Sequence, residues 1–87
     1  MMEKGRYLLA KRIREHRAAR GWSQAVLAER CGIDRNYIGA IERAKHNVGI
    51  DTAQTIAEAF SLSVAELLTE PRLIRRPPKP KRQAGTD

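Results

Sequence analysis

The chain has 87 residues, 41% of them hydrophobic, which suits one small domain with little surface to spare for an enclosed active site. Its formal net charge is +7, and it has one cysteine, no signal peptide and no apolar run of the roughly 18 residues that a bilayer span needs. These features predict a cytoplasmic protein with no membrane segment and no internal disulfide.

The charge is unevenly distributed along the chain. Residues 1–50 carry eleven Lys or Arg and five acids, residues 51–70 carry four acids and no Lys or Arg, and residues 71–87 carry six Lys or Arg and one acid. A basic first half predicts a polyanionic partner. The basic tail is less informative, because it is compatible either with nonspecific DNA attraction or with simple solvation.

The first helix is predicted over residues 6–20, where Leu9, Ile13 and His16 recur on one face and Gly21 provides a stop. Ser23 is expected to cap the second helix, which ends at Gly32. The residues of the second helix that are expected to face inward are Leu27, Ala28 and Cys31.

The third helix begins only a few residues after Gly32, with Asp34 as its predicted cap and Ile38 and Ile41 in the core. At about 100° per residue, the opposite face carries Arg35, Asn36, Gly39, Ala40 and Arg43. A tight connection with a glycine is typical of a helix-turn-helix, here over residues 23–43, whose second helix enters the DNA major groove. Long donors at the helix start would reach base edges, and Gly39 would permit close approach.

Two more helices are predicted beyond the loop "AKHNVG". Asp51 with Gln54 predicts a capping box for the fourth, whose inward residues are Ala53, Ile56, Ala57 and Phe60. Ser63 with Glu66 predicts a second box for the fifth helix, which would end near Pro71, with Leu62 stapled onto Leu67. The sequence thus predicts an all-α, five-helix domain over residues 1–70 and a flexible, basic, proline-rich tail over 71–87.

The stretch "WSQAVLAERCGIDRNYIGAIERAKHNVGIDTAQTIAEAF" resembles the helix-turn-helix of the phage Cro/repressor (XRE) family, and "YIGAIER" is similar to restriction–modification controller proteins. The resemblance covers about residues 6–70. It implies a lambda-repressor-like DNA-binding fold and a bacterial or phage transcription regulator, associated with the nucleoid and binding double-stranded DNA. Because one such domain reads only a few base pairs, we expect a homodimer on a palindromic operator, with its recognition helices about 34 Å apart.

The resemblance also implies roles for individual residues. Base-reading positions are Arg35, Asn36, Tyr37 and Ala40, with Tyr37 equally suited to a sugar-phosphate contact. Phosphate-binding positions are Ser23, Gln24, Arg43, Lys45, His46 and Asn47. Arg17 and Glu42 match a structural pair that joins the first helix to the third. Ala44 stands where glycine is frequent, and His16 where leucine is usual.

The remaining predictions concern partners and function class. Val64 and Leu68 on the fifth helix are predicted to form the dimer surface. The sequence shows no nucleophile–base pair, phosphate-cradling loop or metal-ligand spacing, so we expect no enzyme activity, no cofactor and no metal. The alternative is an antitoxin or adaptor whose helical bundle and tail bind a protein partner.

Overall fold

The computed structural model describes residues 4–74, and every regular element in that range is helical. The elements are α1 (Gly5–Arg20), α2 (Gln24–Cys31), α3 (Arg35–Glu42), α4 (Ile50–Ala59), α5 (Val64–Leu67) and a 3₁₀ turn at Pro71–Leu73. The predicted all-α, five-helix fold is confirmed. Within these residues no helix combines the length and apolar character that a bilayer crossing requires.

The connection between α2 and α3 is fixed by local interactions at both of its ends. Gly32 stops α2 in the left-handed region at φ +69°, where a residue with a Cβ would be strained. Asp34 then starts α3, because its Oδ2 accepts a hydrogen bond from the backbone N–H of Asn36 at 2.9 Å. Ser23 caps α2 in the same way through Val26 at 3.1 Å. Three residues therefore set the helix ends of the helix-turn-helix. Ser23 starts α2, Gly32 ends it and Asp34 starts α3.

The start of α4 differs from the prediction. The helix begins at Ile50 with Gly49 as its N-cap, so Asp51 lies inside the first turn and caps nothing. Gln54 donates to Glu58, one turn further along, at 3.2 Å. The predicted Asp51–Gln54 capping box is wrong, and Asp51 instead places its negative charge near the positive end of the helix dipole.

The capping box of α5 is present, but the helix is shorter than expected. Ser63 Oγ accepts from the N–H of Glu66 at 3.1 Å, and the Glu66 carboxylate accepts from the N–H of Ser63 at 2.9 Å. The helix ends at Leu67 instead of continuing towards Pro71. Glu70 is extended at ψ 137°, as expected for a residue that precedes proline.

Ordered structure continues past the predicted domain boundary at residue 70. Pro71–Leu73 form the 3₁₀ turn, and the half-buried side chain of Ile74 packs against the core. The rest of the predicted tail, residues 75–87, lies outside the described residues.

The core joins all five helices around fully buried aliphatic side chains. The largest of them are Ile13, Leu27, Ile38, Ile41, Ile56 and Leu67. His16 is buried among them and bonds through Nε2 to the carbonyl oxygen of Thr69 at 2.9 Å, which connects α1 to the segment after α5. Burial lowers the pKa of His16, so the ring is neutral near pH 7. Cys31 is only half-buried, and burial raises the pKa of its thiol.

Ala44, just after α3, is strained by its backbone conformation. Its φ is +59°, in the left-handed region that costs a non-glycine residue roughly 1–2 kcal/mol. Since glycine accepts this conformation freely, we expect Ala44→Gly to raise the free energy of unfolding by about 1 kcal/mol. Urea denaturation followed by circular dichroism measures the change.

Ala18→Gly is the matched control, because Ala18 is an exposed residue inside α1 with helical geometry. Here the same chemical change should lower the free energy of unfolding by about 1 kcal/mol. Destabilisation by both substitutions would contradict the assigned strain at Ala44.

Candidate nucleic-acid interface

The side of α3 that is turned away from the core, together with the C-cap residue Arg43, is what we call the recognition face; it consists of Arg35, Asn36, Gly39, Ala40 and Arg43. Ile38 and Ile41 point the other way and are 0% and 1% exposed, so they fix which side of the helix meets solvent. Arg35 and Asn36 are exposed in the first turn, and within residues 4–74 neither side chain has a described hydrogen-bonding partner. Two long donors are thus presented to solvent from a helix whose rotation the core determines.

The orientation of α3 is further fixed by an interaction that we call the Glu42 network, formed by Arg17, Gln24 and Glu42. Arg17 donates from Nε and Nη2 to the two carboxylate oxygens of Glu42 at 2.7 and 2.8 Å. Gln24 donates to the same carboxylate at 3.0 Å. The Arg17–Glu42 pair implied by the family resemblance is therefore present and joins α1 to α3, and Gln24 adds α2 to the network.

The Glu42 network is largely sequestered from water. The Glu42 side chain is 2% exposed and that of Arg17 is 19% exposed. The hydrogen bonds to Glu42 raise the pKa of Arg17, and a third guanidinium nitrogen, Nη1, donates to the carbonyl of Trp22 at 2.9 Å. Charge-assisted, bidentate bonds of this kind are strong and directional. They fix the end of α3, and the residue that leads into α2, relative to α1.

Arg14 also belongs to this region, and sequence reasoning missed it. Its guanidinium donates to the backbone carbonyl of Glu42 at the end of α3. The signal that was available is its spacing, because residues 14 and 17 lie three apart and therefore share one face of α1.

A polar cavity of 320 Å³ opens beside the recognition face. It is lined by Gln24, Arg35, Asn36, Gly39 and Arg43. Gly39 is itself buried, although it belongs to the exposed face of the helix. The structure therefore brings two of the predicted base-reading residues together with two of the predicted phosphate-binding residues.

The remaining predicted contact residues do not line this cavity. Lys45, His46 and Asn47 are exposed in the loop after α3, and the ring of His46 meets Tyr37 edge-on with centroids 5.0 Å apart. Ala40 is half-buried on α3. Ser23 is exposed at the start of α2, where its oxygen is engaged in the helix cap.

The electrostatic character of this side contrasts with that of the last two helices. The recognition face and the loop after it contribute Arg35, Arg43 and Lys45, whereas α4 and α5 contain no Lys or Arg. This side of the molecule is positively charged, and within residues 4–74 no described acceptor bonds the Arg35 guanidinium. Such a surface suits a polyanion that offers hydrogen-bond acceptors, as the base edges of DNA do.

Comparison with known proteins gives the family. A model of the helix-turn-helix family matches residues 13–67. The chain belongs to this family. The control protein C.SmaI from Serratia marcescens is 42% identical over 62 residues, which span 71% of this chain and 74% of that protein.

Two further similarities extend this comparison. A hypothetical transcription factor from Neisseria meningitidis is 37% identical over 77% of this chain but only 63% of its own length, so this chain spans less than two thirds of that relative. The restriction–modification controller protein C.Esp1396I, solved as a tetramer with its natural 35-base-pair operator, is 28% identical with a TM-score of 0.69. That match covers 76% of this chain and 92% of the controller protein.

Proposed function

We propose that this protein is a transcription regulator that binds specific double-stranded DNA with α3 in the major groove. The observation that carries the proposal is the exposed pair Arg35 and Asn36, held at the start of a helix that the core and the Glu42 network orient. Arginine can pair with guanine and asparagine with adenine, each through two hydrogen bonds. Bacterial or phage DNA in the cytoplasm is the expected target.

The contacts on either side of α3 would grip the DNA backbone. Gln24 and Ser23 lie at the start of α2, where free backbone N–H groups favour a phosphate. After α3, Lys45, His46 and Asn47 present donors from an exposed loop. Tyr37 and Ala40 complete the base-facing set, with Tyr37 positioned by its contact with His46. In this arrangement the phosphate contacts set the register and the first turn of α3 reads the sequence.

We also propose that the regulator acts as a homodimer through the surface around Val64 and Leu68. Leu68 is 36% exposed, and the neighbouring Ile50 is 69% exposed. Both line an open groove with Val64. Covering this apolar surface favours association, and a two-fold dimer would place two copies of α3 about 34 Å apart. Sedimentation of the protein alone should give twice the mass of one chain. A monomeric mass, together with only one chain bound per operator duplex, would refute the dimer.

In the antitoxin or adaptor alternative the helical bundle and the tail bind a protein partner, and residues 75–87 of that tail lie outside the described residues. The named relatives favour DNA binding, since one of them is a controller protein solved on its operator.

The experiment that tests the proposed function is selection from random DNA duplexes at physiological salt, followed by sequencing. A palindromic consensus with half-sites about one helical turn apart is expected for a dimeric regulator. Binding without a consensus, lost on a modest increase in salt, would refute sequence-specific regulation and leave only charge attraction.

Arg35→Ala should relax the preference at one base pair of that consensus by about 1–3 kcal/mol, because a bidentate contact to that base is lost. Lys45→Ala is the matched comparison. It should weaken all duplexes evenly and reduce the salt slope by about 1, because it removes a phosphate contact. Titrations of consensus and scrambled duplexes over a salt series measure both effects, and equal losses on the two duplexes for Arg35→Ala would contradict its assignment.

A further inference from the structure

Gly39 is buried in the middle of the recognition face because two side chains cover it. A Cβ added to Gly39 would lie 3.2 Å from Nη1 of Arg43 and 3.7 Å from Oε1 of Gln24. The second distance is ordinary contact, whereas the first is tight enough that the Arg43 guanidinium must shift by a few tenths of an ångström. Glycine is unfavourable inside helices, so this position has a local cost that calls for a structural reason. The structure provides one in Arg43.

We propose that Gly39 determines sequence preference through Arg43, whose guanidinium it admits to the base-reading cavity. Residues four apart share one face of a helix, and helical side chains lean towards the N-terminus. Arg43 follows this direction from the end of α3 back over Gly39, and its guanidinium reaches the cavity that Arg35 and Asn36 line. The inference rests on the proposed DNA-binding function and assigns Arg43 to base reading, where the family resemblance had implied a phosphate contact.

The bonding of Arg43 supports this assignment. Its backbone N–H is used by the carbonyls of Gly39 and Ala40, but within residues 4–74 no described acceptor bonds its guanidinium. Arg17 is the contrast, because its guanidinium is fully engaged by Glu42 and Trp22. Arg43 thus keeps its donors available in a planar fork that matches the O6 and N7 acceptors of guanine.

The test compares the wild type with Gly39→Ala, Arg43→Ala and the double variant. Each protein is titrated with the selected consensus and with duplexes substituted at one base pair at a time. Gly39→Ala and Arg43→Ala should lose preference at the same base pair, Arg43→Ala by about 5- to 150-fold and Gly39→Ala by less, because the guanidinium is displaced and not removed. The double variant should lose no more than Arg43→Ala alone, because Gly39 acts through that side chain.

Folding does not obscure this experiment. Alanine is a better helix former than glycine, so Gly39→Ala should unfold at a denaturant concentration no lower than the wild type. A loss of DNA preference in a variant of undiminished stability then reports on recognition alone.

Two outcomes would overturn the inference. If Gly39→Ala costs as much in the Arg43→Ala background as in the wild type, Gly39 meets the DNA directly. If Arg43→Ala weakens consensus and scrambled duplexes alike, Arg43 binds phosphate only. Failure of the proposed function itself is a separate result, because the wild type would then select no consensus at all.

Discussion

Arg17→Ala should lower the free energy of unfolding by about 3–5 kcal/mol, because it leaves the buried carboxylate of Glu42 without its cationic partner. The Glu42 side chain is 2% exposed, so its charge depends on protein partners, and Arg17 supplies two of its hydrogen bonds. Gln24 remains as a neutral donor to one carboxylate oxygen. Domains of this size have about 5–15 kcal/mol of stability, so the loss should shift the urea midpoint strongly.

The exposed pair Arg72–Glu70 is a matched control, because its closest N···O distance is also 2.7 Å but the Arg72 side chain is 80% exposed. Arg72→Ala should leave the midpoint unchanged, since solvent already screens that pair. The double variant Arg17→Met/Glu42→Leu should be more stable than Arg17→Met alone, because it leaves no uncompensated buried charge. A cost for Arg17→Ala no larger than that of Arg72→Ala would contradict the role assigned to burial.

The Glu42 network also connects stability to recognition. Arg17, Gln24 and Glu42 lie on three different helices, and the carboxylate holds the Gln24 amide beside Gly39. Loss of these hydrogen bonds should therefore let α3 rotate about its axis and let the Gln24 side chain, which lines the base-reading cavity, move. Variants of Arg17 should lose DNA affinity even in the fraction of molecules that remains folded.

Features set by neighbouring residues were predictable from the sequence. The cap at Asp34, the box of Ser63 with Glu66 and the stop at Gly21 each depend on residues within about three positions of one another. The inward positions of Ile38 and Ile41 follow from helical periodicity in the same way. These local signals are sufficient to define the helix-turn-helix and the outward side of α3.

Features decided by competition between neighbours or by distant contacts were not predictable. Gly49 begins α4 in preference to Asp51, although the spacing of Asp51 and Gln54 fits a capping box. The cover over Gly39 depends on the direction of the Arg43 side chain and on the fixed amide of Gln24, fifteen positions away in the chain. Sequence reasoning attributed that glycine to close approach of DNA, because it could not place the side chains that occupy the space.

Phe60→Ala should lower the free energy of unfolding by about 3–5 kcal/mol. It leaves a cavity where the end of α4 meets α1 and the connection between α1 and α2. The Phe60 ring is 2% exposed and stacks on Trp22, with centroids 5.2 Å apart and planes inclined by 12°. It also contacts the ring of His16 at 5.6 Å, and the Arg20 guanidinium lies 4.8 Å from its centroid. Trp22 is the single tryptophan of the chain, so its fluorescence reports both the loss of the stack and the shifted urea midpoint.

Phe60→Leu is the control that separates packing volume from the aromatic contact. Leucine fills most of the space, so this variant should keep most of the stability that Phe60→Ala loses, while the Trp22 emission still changes because no ring stacks against it. The carbonyl of Trp22 accepts a hydrogen bond from Arg17, and Trp22 directly precedes the cap residue Ser23. The stack and the Glu42 network thus both act on Trp22, the residue that leads into α2. Equal stability of the alanine and leucine variants would show that the cavity closes by repacking and that Phe60 does not set this position.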